Sequence, residues 1–152
     1  MRFLEIFAAG VMAAYVMFLV NWVAFRAGWV QVSVVEAFNE FLARVFPHHA
    51  LSRADLRVPR AVIRLFMGGV FALVYSMFVS WLPIHTTWSI VTLCLALGFV
   101  HGFGVGTADA VTVVEGPDVV AYKQFGYQLI ATHVLSHMVF GLTLGLLFTL
   151  LA

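Results

Sequence analysis

The chain has 152 residues, of which 63% are hydrophobic and 10% charged, and its mean hydropathy is +1.03. Soluble domains carry about 25% charged residues, so a soluble protein of this composition would expose too much apolar surface. The composition therefore excludes an ordinary soluble protein and favours a single domain over 1–152 that lies in a lipid bilayer. The net charge of +1 says little by itself, whereas the placement of the charges is informative. We expect no nucleic-acid partner.

Four apolar segments predict an all-α, polytopic fold. Each is about as long as the roughly 20 residues that a spanning helix needs. The predicted transmembrane helices cover approximately 3–25, 61–82, 88–105 and 127–151.

The stretch 29–46, "WVQVSVVEAFNEFLARVF", differs from these segments because it carries charges. Apolar residues such as Val34, Phe38 and Phe41 recur at helical spacing, while Glu36 and Arg44 take other positions. This pattern predicts an amphipathic helix that lies in the membrane interface or against the bundle.

The basic residues predict the orientation. Lys123 lies in the connection between the third and fourth segments, and Arg2 precedes the first segment. Cytoplasmic loops are enriched in Lys and Arg, so we expect the first and third connections in the cytoplasm and both termini outside, in a bacterial inner membrane. The other basic residues follow the first segment or open the second, namely Arg26, Arg44, Arg53, Arg57, Arg60 and Arg64.

Small residues four apart punctuate the predicted helices and indicate close helix packing, either within the bundle or against another protein. The pairs are Ala9 with Ala13, Gly10 with Ala14, Gly68 with Ala72, and Gly141 with Gly145.

The third connection predicts a long antiparallel hairpin that turns near Gly116. His101 lies 15 residues before this turn and His133 lies 17 after it. Their distances from the turn, measured along the helix axis, therefore differ by only about 3 Å. We therefore expect the two histidines to face each other, with His137 about one turn further in. By the same count, Asp109 is level with Lys123, which predicts an ion pair.

Ionisable groups inside a span are candidate functional sites, because burial in lipid is costly. His101, His133 and His137 have three interpretations: structural hydrogen bonds between helices, ligands of a haem, another pigment or a metal ion, or proton transfer. The HxxxH spacing lacks the Glu of a zinc hydrolase. Asn21 in the first segment is expected to form a hydrogen bond across helices.

Two stretches, "AAGVMAAYVMFLV" and "SHMVFGLTLGLLF", resemble the first and last helices of small uncharacterised bacterial four-helix membrane proteins. In that family the last helix carries the pattern H-x-x-F/Y-G-x-x-L-G. In this chain the pattern corresponds to His137, Phe140, Gly141, Leu144 and Gly145. The resemblance implies four helices and carries no established activity.

No catalytic constellation can be assigned to the membrane interior, so the sequence favours a protein that is not an enzyme. We expect an integral subunit or accessory component of a larger respiratory, photosynthetic or oxidase-type complex, with lipid and other membrane subunits as partners. One alternative is a histidine-ligated haem or metal protein for redox or transfer. Another is a small transporter or channel formed by oligomerisation.

Overall fold

The computed structural model describes residues 2–29, 57–83, 86–114 and 120–151, with side chains described over 2–29, 62–83, 86–111 and 127–151. These residues form helices that we number in chain order. They are α1 (Phe3–Arg26), α2 (Arg57–Trp81), α3 (Thr87–Val114) and α4 (Val120–Leu151).

The prediction of four helices that are apolar enough to cross a membrane is confirmed. The candidate spans are Phe3–Arg26, Val62–Trp81, Thr87–Val111 and Tyr127–Leu151. The C-terminal end of α3 and the N-terminal end of α4 both extend beyond the predicted apolar segments, as expected for a long hairpin. The amphipathic helix predicted over 29–46 lies outside the described residues, apart from Trp29 at its start.

The ends of α1 satisfy backbone groups that a helix leaves unpaired. At the N-terminus, the backbone N–H of Arg2 donates to the Glu5 carboxylate at 2.8 Å. At the C-terminus, Gly28 adopts φ 72°. Its N–H donates to the Phe25 carbonyl at 3.1 Å, and the N–H of Trp29 donates to the Ala24 carbonyl at 3.0 Å. This pair of bonds is a Schellman motif, which needs a left-handed residue and therefore favours glycine.

α1 and α2 pack closely through small side chains. A Cβ added at Gly10 would lie 2.8 Å from the Cα of Gly69 and would also overlap the Gly68 carbonyl. A Cβ added at Gly68 would lie 2.5 Å from the Cβ of Ala14. The small residues singled out in the first two segments therefore allow these two helices to touch backbone to backbone.

α3 and α4 form the most extensive contact of the fold. Gly98, Gly102 and Gly106 of α3 face the backbone of α4 near His137, His133 and Ile130, respectively. Because the partner number falls as the glycine number rises, the two helices are antiparallel.

Further from the α3–α4 connection, glycines of α4 take over the close contact. Gly141 packs against the Cys94 carbonyl, and a Cβ at Gly145 would lie 2.9 Å from the Cα of Val91. The small residues of the fourth segment thus contact α3 within the bundle.

The two helix pairs meet mainly through α1 and α4, whereas α2 and α3 touch at few points. The core is built from buried residues of all four helices. Its main members are Ala9, Ala13, Ala14, Ala72, Tyr75, Cys94, Phe140, Leu144 and Phe148.

Candidate histidine site between the third and fourth helices

The candidate site is a group of polar side chains buried where α3 and α4 pack together. His133 and Asp109 are buried, with His133 Nε2 3.0 Å from Asp109 Oδ2 and only 4% and 3% of the side chains exposed. Burial of such a pair in an apolar bundle is costly unless each group compensates the other. Asp109 and His133 therefore form the most strongly buried ionisable contact among the described residues.

This contact has the distance of a hydrogen bond but not its alignment. Oδ2 of Asp109 and both ring nitrogens of His133 have no aligned hydrogen-bond partner among the described residues. The same holds for Oγ1 of Thr107 and Oε1 of Gln128, both of which are buried. Buried polar groups are normally paired, so these atoms identify a region able to take up a proton or a polar group.

His137 has a defined tautomer. Its Nδ1 lies 2.8 Å from the backbone carbonyl oxygen of His133. A carbonyl oxygen can only accept, so Nδ1 carries the hydrogen that it donates. In the neutral ring, Nε2 is therefore the nitrogen that is free to accept a proton.

His101 joins the other two histidines from α3. Its ring contacts that of His137 edge to face, with 4.6 Å between the centroids, and the rings of His133 and His137 are 5.8 Å apart. Nδ1 of His101 lies 3.4 Å from the hydroxyl of Tyr75 on α2. Phe71 of α2 packs on the same imidazole with the centroids 4.2 Å apart.

Tyr75 belongs to the site but was not singled out from the sequence. It is 3% exposed and packs edge to face against Phe140 of α4. A tyrosine in the middle of an apolar segment was the available signal, because a buried phenolic hydroxyl usually finds a hydrogen-bond partner. The glycines at 98, 102 and 106 were a second missed signal, since their spacing of four is that of a close helix contact.

The ring contacts differ from the pairing that equal depth predicted. His101 and His133 do lie at similar depth, because the neighbouring Gly102 faces the His133 carbonyl. Helical side chains tilt toward the N-terminus of their own helix. Since α3 and α4 are antiparallel, His101 tilts away from the α3–α4 connection and meets His137, whereas His133 tilts toward it and meets Asp109.

Two further predicted polar residues have different outcomes. Asn21 of α1 accepts a hydrogen bond from the Ser136 hydroxyl of α4. The side chain of Lys123 lies outside the described residues, so its pairing with Asp109 stays a prediction.

A groove of about 750 Å³ runs between α1 and α4 on the outside of the bundle. Its walls are largely apolar and include Trp29 and Leu135. Its polar lining residues are Asn21, Gln128, Thr132 and Ser136.

The packing of the rings bears on cofactor binding. Bis-histidine haem ligation places a macrocycle between two imidazoles, and the edge-to-face contact of His101 with His137 leaves no space for one between those two rings. Of the side chains described here, no group of three or more histidines, cysteines and carboxylates is arranged to hold a metal ion. The described geometry instead suits hydrogen bonding and proton exchange among neighbouring side chains.

Comparison of the chain with protein-family models, with curated proteins and with solved structures finds no match.

Proposed function

We propose that this protein is a non-catalytic integral subunit of a larger membrane complex, and that the groove between α1 and α4 receives a transmembrane helix of another subunit. The observation that carries the proposal is the polar lining of this groove, which combines Asn21, Gln128, Thr132 and Ser136 with apolar walls. Ser136 donates to Asn21 and Thr132 donates to the Gln128 carbonyl, so the side-chain oxygen of Gln128 is the group that lipid chains leave without a hydrogen bond and that a partner helix can satisfy.

Gln128 provides the strongest reason for a protein partner. Its side-chain oxygen is buried and has no hydrogen-bond partner within the described part of the chain. An unpaired amide oxygen in an apolar environment is unfavourable. Because this oxygen has no exposed surface, the Gln128 side chain must rotate toward the groove to meet a hydroxyl or amide donor of a partner helix. The apolar side chains of that helix fit against Leu135 and the other wall residues.

The proposed setting is a bacterial inner membrane with both termini outside. Six arginines lie between the first and second spans or at the start of the second. Moving such residues through the bilayer centre costs about 2.5–3.5 kcal/mol each on the insertion scale. The first connection is therefore cytoplasmic, and so is the third, which contains Lys123.

Blue-native electrophoresis of mildly solubilised membranes tests the proposal. Wild-type protein should migrate in a complex much larger than the monomer. Ala131→Trp fills the groove and should release the protein from that complex. Val111→Trp is the matched control, because Val111 is 55% exposed on α3 and does not line the groove.

Four results would contradict the proposal. Migration of the wild type only as a monomer argues against any stable complex, and a small homo-oligomer would favour the channel alternative. Equal behaviour of the two tryptophan variants would show that the groove is not the contact. A Soret band or stoichiometric metal in the purified protein that disappears in His101→Ala would favour the alternative of a haem or metal protein.

A further inference from the structure

A row of proton-exchanging side chains runs through the bundle from α3 to α2. In order, it comprises Asp109, His133, His137, His101 and Tyr75. The first two are 3.0 Å apart at Oδ2 and Nε2, and the last two are 3.4 Å apart at Nδ1 and the hydroxyl. The three imidazoles between them are adjacent rings with centroids 5.8 and 4.6 Å apart.

The row has a direction across the membrane. Asp109 lies near the end of the span Thr87–Val111 that leads into the α3–α4 connection. His101 lies eight residues earlier on α3, which is about 12 Å further along the axis at 1.5 Å per residue. The row therefore reaches from the connection side to the interior of a hydrocarbon layer about 30 Å thick.

Few other ionisable groups of the described residues face this row. On α1, Tyr15 is 63% exposed, and the charged residues are in the first and last turns. On α3, Cys94 belongs to the same buried core as Tyr75. Beyond Tyr75 the neighbours are apolar residues such as Phe140 and Ala72, so the row ends inside the bundle.

We propose that this row is a proton relay that connects the α3–α4 connection side of the membrane with His101, which lies beside Tyr75 inside the bundle. A proton on the Asp109 carboxyl moves to Nε2 of His133 and leaves the carboxylate behind. Rotation of the imidazole then presents the proton to Nε2 of His137, the nitrogen that its bond to the His133 carbonyl leaves free. From there the proton passes to His101, where it stays, and Nδ1–H of the resulting imidazolium donates a hydrogen bond to the Tyr75 hydroxyl oxygen.

Each transfer moves one proton between two groups, and no covalent bond other than those to hydrogen changes. Asp109 is the entry group, so it must be reprotonated from the connection side. Asn at position 109 keeps the size of the side chain but cannot release a proton in this way. Gln at position 133 likewise keeps a polar group without a titratable nitrogen. These two substitutions interrupt successive steps of the same route.

Time-resolved infrared spectroscopy after a pH jump tests the relay in the full-length protein in nanodiscs. The readout is the protonation rate of His101, identified as the imidazole band that is lost in His101→Gln. Asp109→Asn and His133→Gln should each slow this rate about a hundredfold, the lower range for a positioned proton-transfer group. Ser76→Ala is the matched control, since Ser76 is buried on α2 and donates to the Leu73 carbonyl outside the row.

The relay is overturned if His101 protonation is not observed at any pH between about 4 and 8. It is also overturned if either substitution leaves the rate unchanged, or if Ser76→Ala slows it equally. Circular dichroism identifies a variant that fails to fold, and the other variant then decides the outcome. These measurements use the isolated protein, so their result is independent of whether a partner occupies the groove.

Discussion

Replacing Gly102 by alanine should weaken the packing of α3 against α4. An added Cβ would lie 2.6 Å from the His133 carbonyl oxygen and 2.8 Å from the Cα of Val134, whereas ordinary contacts of a Cβ begin at 3.4 Å. The two backbones must separate locally by about 0.8 Å, the difference between 3.4 and 2.6 Å. Because the carbonyl belongs to the backbone, no side-chain rotation relieves the overlap. Overpacking of this kind typically costs 1–3 kcal/mol.

Gly104 provides the matched control, because a Cβ added there meets nothing within 4 Å. Alanine is favoured over glycine in a helix by about 1 kcal/mol at either position, so this gain cancels in the comparison. Gly102→Ala should therefore have a free energy of unfolding about 1–3 kcal/mol below that of Gly104→Ala. Reversible unfolding in mixed micelles, followed by circular dichroism, measures the difference. Equal stability of the two variants would refute the close packing of α3 and α4.

Other structural features give three further predictions. Gly28→Ala should lower the free energy of unfolding by about 1 kcal/mol, because alanine is disfavoured at a left-handed φ; Gly28→Asn should cost less, and the reverse order in micelle unfolding would contradict this. The Ser136–Asn21 hydrogen bond should give a coupling energy of about 0.6–1.7 kcal/mol in a double-mutant cycle with Ser136→Ala and Asn21→Ala, and an additive cycle would show that the bond contributes nothing. In a Cys94→Ala background, a cysteine at Ser52 should resist an impermeant reagent in intact cells while one at Thr86 reacts, and the opposite pattern would reverse the proposed orientation.

The sequence predicts the helices more completely than it predicts their contacts. Composition and segment length are enough for the four helices, because a spanning helix has to be long and continuously apolar. The depth of His101 relative to His133 also follows from counting along a hairpin. The ring contacts do not, because they depend on the opposite tilt of side chains on antiparallel helices. That tilt brings His133 to Asp109 and His101 to His137.

Contacts from a helix outside the hairpin are harder still to predict. Tyr75 reaches His101 only because α2 lies beside α3 at this depth. Nothing in the spacing of residues along α2 specifies that neighbour. The hydrogen-bond partner of Asn21 is equally hard to predict, since Ser136 lies 115 residues further along the chain. Sequence patterns identify such polar residues as candidates, but only the tertiary arrangement assigns their partners.

The sparse contact between α2 and α3 has a consequence for biogenesis. Each helix pair is held by its own glycine contacts, so in the proposed membrane setting the two halves would act as separate insertion units. The halves meet mainly through α1 and α4, so the link between α2 and α3 joins two helices that touch at few points. A chain divided at this link should therefore reassemble when the two halves are produced together. A duplication or exchange of one half is likewise compatible with the architecture.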